Sequence, residues 1–422
     1  MQRRNARPGL RSAVTAAIAL LAAGCAVSGH SGGHPATSRG QTHSAATAAA
    51  GVTITPANGT RDADPSAGIT VTATRGTLRT VRVRSRGGAV PGDLSDHGKV
   101  WHSRWALGVS QDYTVTAAAS GSGAAATSRF RTLTPDKTFV TEIFEGYRQT
   151  YGVGMPVILT FSQPITDKAA VERSLQLTTS KPVVGAWYWD GNQALDFRPR
   201  NYWPAGTTVS FTGHLDGVQA APGMYGTHTL TQKFDIGPSL VAVGNTRTHR
   251  TQIYYNGKLR YNWPISSGKP GDATPDGSYL TIEKGNPVRM KGPGYNLLVP
   301  WSVRFTFSGD YYHDAYWSVN EQGFENVSHG CVNLSPADAK TYYKLAVPGD
   351  PITIVGSPKA GKWDNGWTEW FLNWRQYLRG SALHEAVLAG PDGSKFVSPA
   401  SLPASTAKAP LQTSPGNNWA AA

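Results

Sequence analysis

The sequence predicts a mostly β chain: two small β-sandwiches in tandem, then a third β-rich domain with one short helix and a Trp-rich C-terminal extension. Three observations carry this. Gly (47) and Pro (28) are plentiful while charged residues make up only 16% of the chain, a mixture that favours short strands and turns over long charged helices. β-Branched residues alternate with polar ones through the first half, as in Ile69-Thr70-Val71-Thr72 and Tyr113-Thr114-Val115-Thr116. Only Ser335-Pro336-Ala337-Asp338 gives a full helix start, with a capping hydroxyl and Pro in the first turn; Ala337 to Leu345 supplies the body.

Residues 1–25 read as an export signal. Arg3, Arg4, Arg7 and Arg11 form a basic head, and Ser12 to Ala23 is apolar but too short to span a bilayer. Cys25 follows Ala22-Ala23-Gly24 as the lipidated cysteine of a bacterial lipoprotein does, with Ala22 where Leu is usual. The expectation is an extracytoplasmic lipoprotein, anchored to the cell membrane through Cys25 and facing the cell wall. An ordinary cleaved signal is the alternative. Residues 26–50, rich in Gly, Ser, Ala and Thr, read as a flexible tether.

Residues 51–135 and 136–236 carry the two sandwiches, which read as a semi-rigid stalk without catalytic features. The third domain spans 237–356. It opens on strands around Val241 and Ile253, and Asn256-Gly257 is a hairpin turn. Residues 284–300, rich in Gly, Pro and Asn, are placed to form a lid. In the extension, 357–380, Trp363, Trp367, Trp370 and Trp374 are spaced four, three and four apart, which predicts one helical face packed on the third domain. Residues 381–422 read as a disordered tail. The net charge of +13 predicts attraction to polyanions. For an exported chain these are wall polymers and anionic lipids, not nucleic acid.

The chain has two Cys. With Cys25 lost to the signal or lipidated, Cys331 is the sole free thiol of the mature protein, in the run Ser328-His329-Gly330-Cys331-Val332-Asn333. A thiol needs a base to become a nucleophile. His313 lies eighteen residues upstream and His329 two residues before the sulfur. Gly330 permits unusual backbone angles, so the N–H groups of Gly330 and Cys331 can face a developing oxyanion. Ser328 and Asn333 are short polar groups able to fix the loop. A metal site is disfavoured, because one Cys and two His lack a fourth ligand. An inert buried Cys does not explain so polar a run.

His313, fourteen intervening residues and then Ser328-His329-Gly330-Cys331-Val332-Asn333 resembles the signature of the L,D-transpeptidases, with their YkuD-type catalytic domain. The layout from about 51 to 376 resembles the actinobacterial type, which has two immunoglobulin-like domains before the catalytic one. The resemblance implies that Cys331 is the nucleophile and His313 the base, its ring oriented by the Asp314 carbonyl. Ser328, His329, Gly330 and Asn333 fall at supporting positions, and the backbone of Gly330 and Cys331 at the oxyanion hole. Relatives of this type carry a Tyr on the strand before the base, where this chain has Phe307; Tyr311 or Tyr312 could substitute, and Trp317 completes the substrate-binding set. Asp314 replaces a small residue. Its carboxylate either raises the His313 pKa or is simply solvated.

The activity implied is acyl transfer in peptidoglycan. A tetrapeptide stem acylates Cys331 with release of D-Ala, and a side-chain amine of a second stem takes the acyl group, giving a 3→3 cross-link. Carbapenem-type β-lactams would acylate the same sulfur, and no cofactor or metal is implied. Two other readings stay open: an L,D-carboxypeptidase, in which water replaces the amine, and a non-catalytic wall-binding lipoprotein.

Overall fold

In the computed structural model, residues 51–402 are described apart from 122–123 and 293. The signal, its Cys25 and the 26–50 tether lie outside the described residues.

The first sandwich pairs two four-stranded antiparallel sheets. One holds Val52–Thr55, Thr70–Ala73, Val100–Ser103 and Gly92–Ser95; the other holds Gly88–Ala89, Leu78–Ser85, Asp112–Ala119 and Ala126–Arg131. The alternation read from the sequence does what a two-sided sheet requires. Along Asp112–Ala119 every second residue is buried, and Val115 and Ala117 meet Val52, Val71 and Trp101 in the core.

The second sandwich is larger than expected, because residues 381–402 are not disordered. Ala386–Gly390 and Gly393–Val397 form a hairpin that extends the sheet of Thr141–Ile143, Val157–Phe161, Ala194–Pro199 and Val183–Asp190. The pairing runs Val183↔Ala389 and Gly185↔Val387. Pro391-Asp392-Gly393 between two short apolar runs is the turn signal that marks this hairpin. Glu172, fully buried, fastens the approach to it: its carboxylate accepts from Trp189 Nε1 (2.7 Å), Ser381 Oγ (2.7 Å) and Ala382 N (2.6 Å).

The Trp-rich extension is also not one helix. Gly366 at φ +136° breaks it, leaving a short 3-10 turn at Glu369–Phe371 and a helix at Trp374–Leu378. Three of the indoles pack on the second sandwich rather than on the third domain. Trp363 meets Tyr188, Trp367 meets Phe144, and Trp370 meets Tyr202 while its Nε1 donates to Gly154 O (2.8 Å). The buried Arg198 guanidinium sits between the Trp370 and Tyr377 rings at 4.4 and 4.3 Å. Phe371 instead faces Tyr279 of the third domain. The extension thus straps the two domains together, and Leu280 and Ile282 of the third domain join the core of the second.

The third domain is built on two sheets. The larger orders Lys258–Pro264, Arg250–Tyr255, Leu240–Asn245, Pro351–Val355 and Gly277–Leu280. Its Asn256-Gly257 turn has both residues at positive φ, 48° and 75°, as a two-residue hairpin requires. The smaller orders Glu283–Gly285, Ser302–Arg304, Tyr311–Asp314 and Val332–Leu334. Helix Pro336–Leu345 starts where the sequence places it: Ser335 Oγ accepts from Asp338 N at 3.2 Å. It packs Tyr342 on Tyr312. Residues 288–299 are more regular than an open loop: Val288–Gly292 and Tyr295–Val299 pair as a hairpin.

Candidate active site

The strands Tyr311–Asp314 and Val332–Leu334 run parallel, in the register Tyr312↔Val332 and His313↔Asn333. That register sets Cys331, one residue before the second strand, beside the strand that carries His313. Both residues line one cavity of about 320 Å³, together with Ser328, His329, Asn333 and Trp317. Local sequence alone could not supply this meeting, because it depends on a parallel pairing across a long connection.

His313 is buried, and its Nδ1 lies 2.8 Å from Asp314 O. A carbonyl only accepts, so Nδ1 carries the proton and Nε2 keeps its lone pair. Burial pulls the imidazole down to about 4, against the opposing pull of that backbone bond. Trp317 stacks over the ring, with centroids 5.9 Å apart. Asp314 fits neither expectation for its side chain. It is buried, one carboxyl oxygen has no partner among the described residues, and burial raises its own pKa; the His313 shift comes from desolvation and the Asp314 carbonyl.

Cys331 is half-buried, with Sγ 3.8 Å from Gly309 O. Burial first, then the charge of Asp310, pushes its thiol up to about 12, while the Tyr311 backbone N–H acts the other way. Asp310 was not singled out by the sequence. It is buried under the loop that carries Cys331, where Oδ2 accepts from Thr306 Oγ1 (2.7 Å) and Ser308 Oγ (3.2 Å). The resting pair is therefore neutral thiol and neutral imidazole.

The loop holding the sulfur is fixed by side chains. Ser328 Oγ donates to Cys331 O (2.6 Å) and accepts from Gly330 N (3.1 Å). The Gly330 N–H is thereby engaged within the loop, which corrects the expectation that it faces an oxyanion. Gly330 sits at φ +126°, and its carbonyl accepts from Thr274 Oγ1 (2.7 Å). Asn333 Nδ2 donates to Ser318 Oγ (2.8 Å), and the Asn333 backbone pairs with Ser266. His329 is exposed; its Nε2 accepts from Lys269 Nζ (2.9 Å) and its ring lies against Tyr295.

Of the aromatic residues expected to meet substrate, only Trp317 lines the cavity. Phe307 packs on the core of the second sandwich, held there because its segment abuts that domain. Tyr312 is fully buried, its hydroxyl 3.1 Å from Thr251 Oγ1, and Tyr311 is buried beneath Arg304. The phenol sought near Phe307 comes instead from Tyr295 in the hairpin, which lines the cavity with Met290, Leu297 and Val299. The Gly-rich composition of 284–300 identified the cover but not the residue it delivers.

Comparison with known proteins agrees with this geometry. The L,D-transpeptidase catalytic domain (YkuD) matches residues 239–354, and a bacterial Ig domain matches 60–219. L,D-transpeptidase 2 of Mycobacterium tuberculosis is 33% identical over 72% of this chain and 79% of its own length. L,D-transpeptidase 5 of the same organism is 34% identical over 79% of this chain and 77% of its own length. A solved structure of L,D-transpeptidase LdtMt1 in complex with imipenem is 36% identical and covers 52% of this chain and all of that one, with a TM-score of 0.44. On the sequence matches the chain, with its immunoglobulin-like domain and its mostly β catalytic domain, belongs to the L,D-transpeptidase family.

Proposed function

We propose that this transpeptidase works through a Cys331 acyl-enzyme and forms 3→3 cross-links between peptidoglycan stems. The observation that carries the reading is the shared cavity: a thiol and an imidazole with a free Nε2 line one cavity, and the imidazole tautomer is fixed by Asp314 O. Burial raises the thiol and lowers the imidazole, so both directions favour the neutral pair at rest. Proton transfer to Nε2 thus accompanies attack rather than preceding it.

In the first step Sγ attacks the carbonyl of the third stem residue, Nε2 takes the thiol proton and returns it to the departing amine, and D-Ala leaves. In the second step a side-chain amine of another stem attacks the thioester, and the thiol is restored. With Gly330 N–H engaged by Ser328, stabilisation of the oxyanion falls to the Cys331 N–H and the Tyr295 hydroxyl. Carbapenem-type β-lactams would acylate the same sulfur, since their strained amide presents the same electrophile to Sγ. Lipidation of Cys25 would hold the enzyme at the membrane, facing the wall.

Incubation with a disaccharide-tetrapeptide tests this. The expected products are a cross-linked dimer and free D-Ala, both lost in Cys331→Ala. Tripeptide and D-Ala without dimer would make the protein a carboxypeptidase, and full activity in Cys331→Ala would exclude the acyl-enzyme.

A further inference from the structure

The cavity beside Cys331 contains an acidic group that the acyl-transfer chemistry above leaves unused. Glu321 lies between the base strand and the nucleophile loop, and it lines the same cavity as His313 and Cys331. Its backbone is fixed: the N–H donates to Ser318 O (3.3 Å), and the carbonyl accepts from Phe324 N (3.0 Å) and Glu325 N (2.9 Å). The adjacent Gln322 is buried, with Nε2 on Ala315 O at 3.3 Å. The position of the Glu321 backbone is therefore set by the fold.

The Glu321 carboxylate holds one enclosed oxygen. Its Oε2 is enclosed and, among the described residues, lacks a hydrogen-bond partner. Asp310 by contrast takes two hydroxyl donors on Oδ2; Asp314 Oδ1 and Asp350 Oδ1 are likewise enclosed without a partner among the described residues, but neither residue lines this cavity, whereas Glu321 does. Lys269 at the rim is engaged with His329 and Asp272. Enclosing a carboxylate oxygen without a donor is costly, so a cavity that keeps one is shaped for a donor that arrives with the ligand. Part of the lining is apolar, from Met290, Leu297, Val299 and Trp317. Such a lining suits a methylene chain ending in a cation.

We infer that Glu321 forms an ammonium subsite that receives the protonated side-chain amine of the acceptor stem and delivers it to the thioester. The inference rests on the acyl-transfer reading and deepens it by naming what selects amine over water. An ammonium offers three donors and neutralises the enclosed charge. The steps balance as follows. The ammonium gives one proton to the Glu321 carboxylate, and the freed lone pair attacks the thioester carbonyl. The C–N bond forms and the C–S bond breaks. The second nitrogen proton passes to His313 Nε2 and on to the departing sulfur, which restores the thiol, and the proton on Glu321 leaves to solvent.

The test compares the full protein with Glu321→Gln and Glu321→Asp, using disaccharide-tetrapeptide as donor and acceptor. Hydroxylamine, largely uncharged at neutral pH, serves as a competing nucleophile. Mass spectrometry reads the fate of the acyl group as dimer, hydroxamate or hydrolysed tripeptide. In Glu321→Gln the ratio of dimer to hydroxamate is expected to fall about tenfold or more, the size of one lost hydrogen bond to a charged group. Glu321→Asp, which keeps the charge, should recover part of that ratio, and it decides the case if the Gln variant does not fold. A ratio within twofold of wild type, or dimer and hydroxamate falling in parallel, would overturn the subsite. A wild-type protein whose Cys331 takes no acyl group would refute the acyl-transfer reading itself, and the subsite with it.

Discussion

Nδ1 of His313 is held 2.8 Å from the carbonyl oxygen of Asp314, so the imidazole presents Nε2 to the cavity that also holds Cys331. The arrangement has a consequence for pH. Burial lowers the imidazole to about 4, so the neutral, proton-accepting ring is present above that value and is lost as pH falls through it. The thiol, pushed up to about 12, stays protonated across the neutral range. Acylation by a carbapenem, followed in single turnovers, is expected to be level from mildly acidic to mildly alkaline pH, with its acid limb near 4. A limb near the ordinary imidazole value of about 6.5 would show that His313 is solvated in the working enzyme.

Ser328 joins both sides of Cys331, donating to Cys331 O and accepting from Gly330 N. Ser328→Ala leaves a buried N–H and a carbonyl unpaired, at about 1–3 kcal/mol. Acylation should slow by about 10- to 100-fold, the rate equivalent of that energy. An unchanged rate would mean that the loop is set by Thr274 and Asn333 alone.

At Gly330, two independent constraints exclude any other residue. An added Cβ would sit 2.4 Å from Asp310 Oδ1, and φ is +126°. Asp310 cannot swing away freely, because Thr306 and Ser308 hold its other oxygen. Gly330→Ala should cost about 1–3 kcal/mol of stability from backbone strain, with more from the clash, and should abolish acylation. Pairing it with Asp310→Ala is expected to restore part of the melting temperature but not the acylation, since only the clash is relieved. Recovery of both would make the contact, not the backbone angle, the constraint.

The sequence made legible what depends on near neighbours. The Ser328 bracing of its loop, the Ser335 cap and the Asn256-Gly257 turn each act through residues a few positions apart, and each lies in the structure where its chemistry places it. Tyr295, Glu321 and Asp310 were not legible, because each reaches the site through pairings set by the whole domain. The Trp spacing misled for a different reason. Its period is helical, but Gly366 interrupts the backbone, and Trp363, Trp367 and Trp370 each meet a different aromatic residue of the second sandwich. Period reports a face only where the intervening residues can stay helical.

That strap carries the last prediction. The chain leaves the catalytic domain, passes Trp370 over Arg198 and adds two strands to the second sandwich, so the sandwich is completed only by residues far from it in sequence. Trp370→Ala removes a buried indole, its bond to Gly154 O and one face of the Arg198 sandwich, and should cost about 3–5 kcal/mol. Truncation after Gly380 goes further. It takes from Glu172 its Ser381 and Ala382 donors and bares the edge of Val183–Asp190, a template for intermolecular pairing. The truncated protein is expected to melt earlier and to aggregate, although its last residue lies well beyond the catalytic fold. Calorimetry and light scattering on both variants check this. A truncated chain that melts like the full one and stays monomeric would show that the C-terminal hairpin only decorates the sandwich.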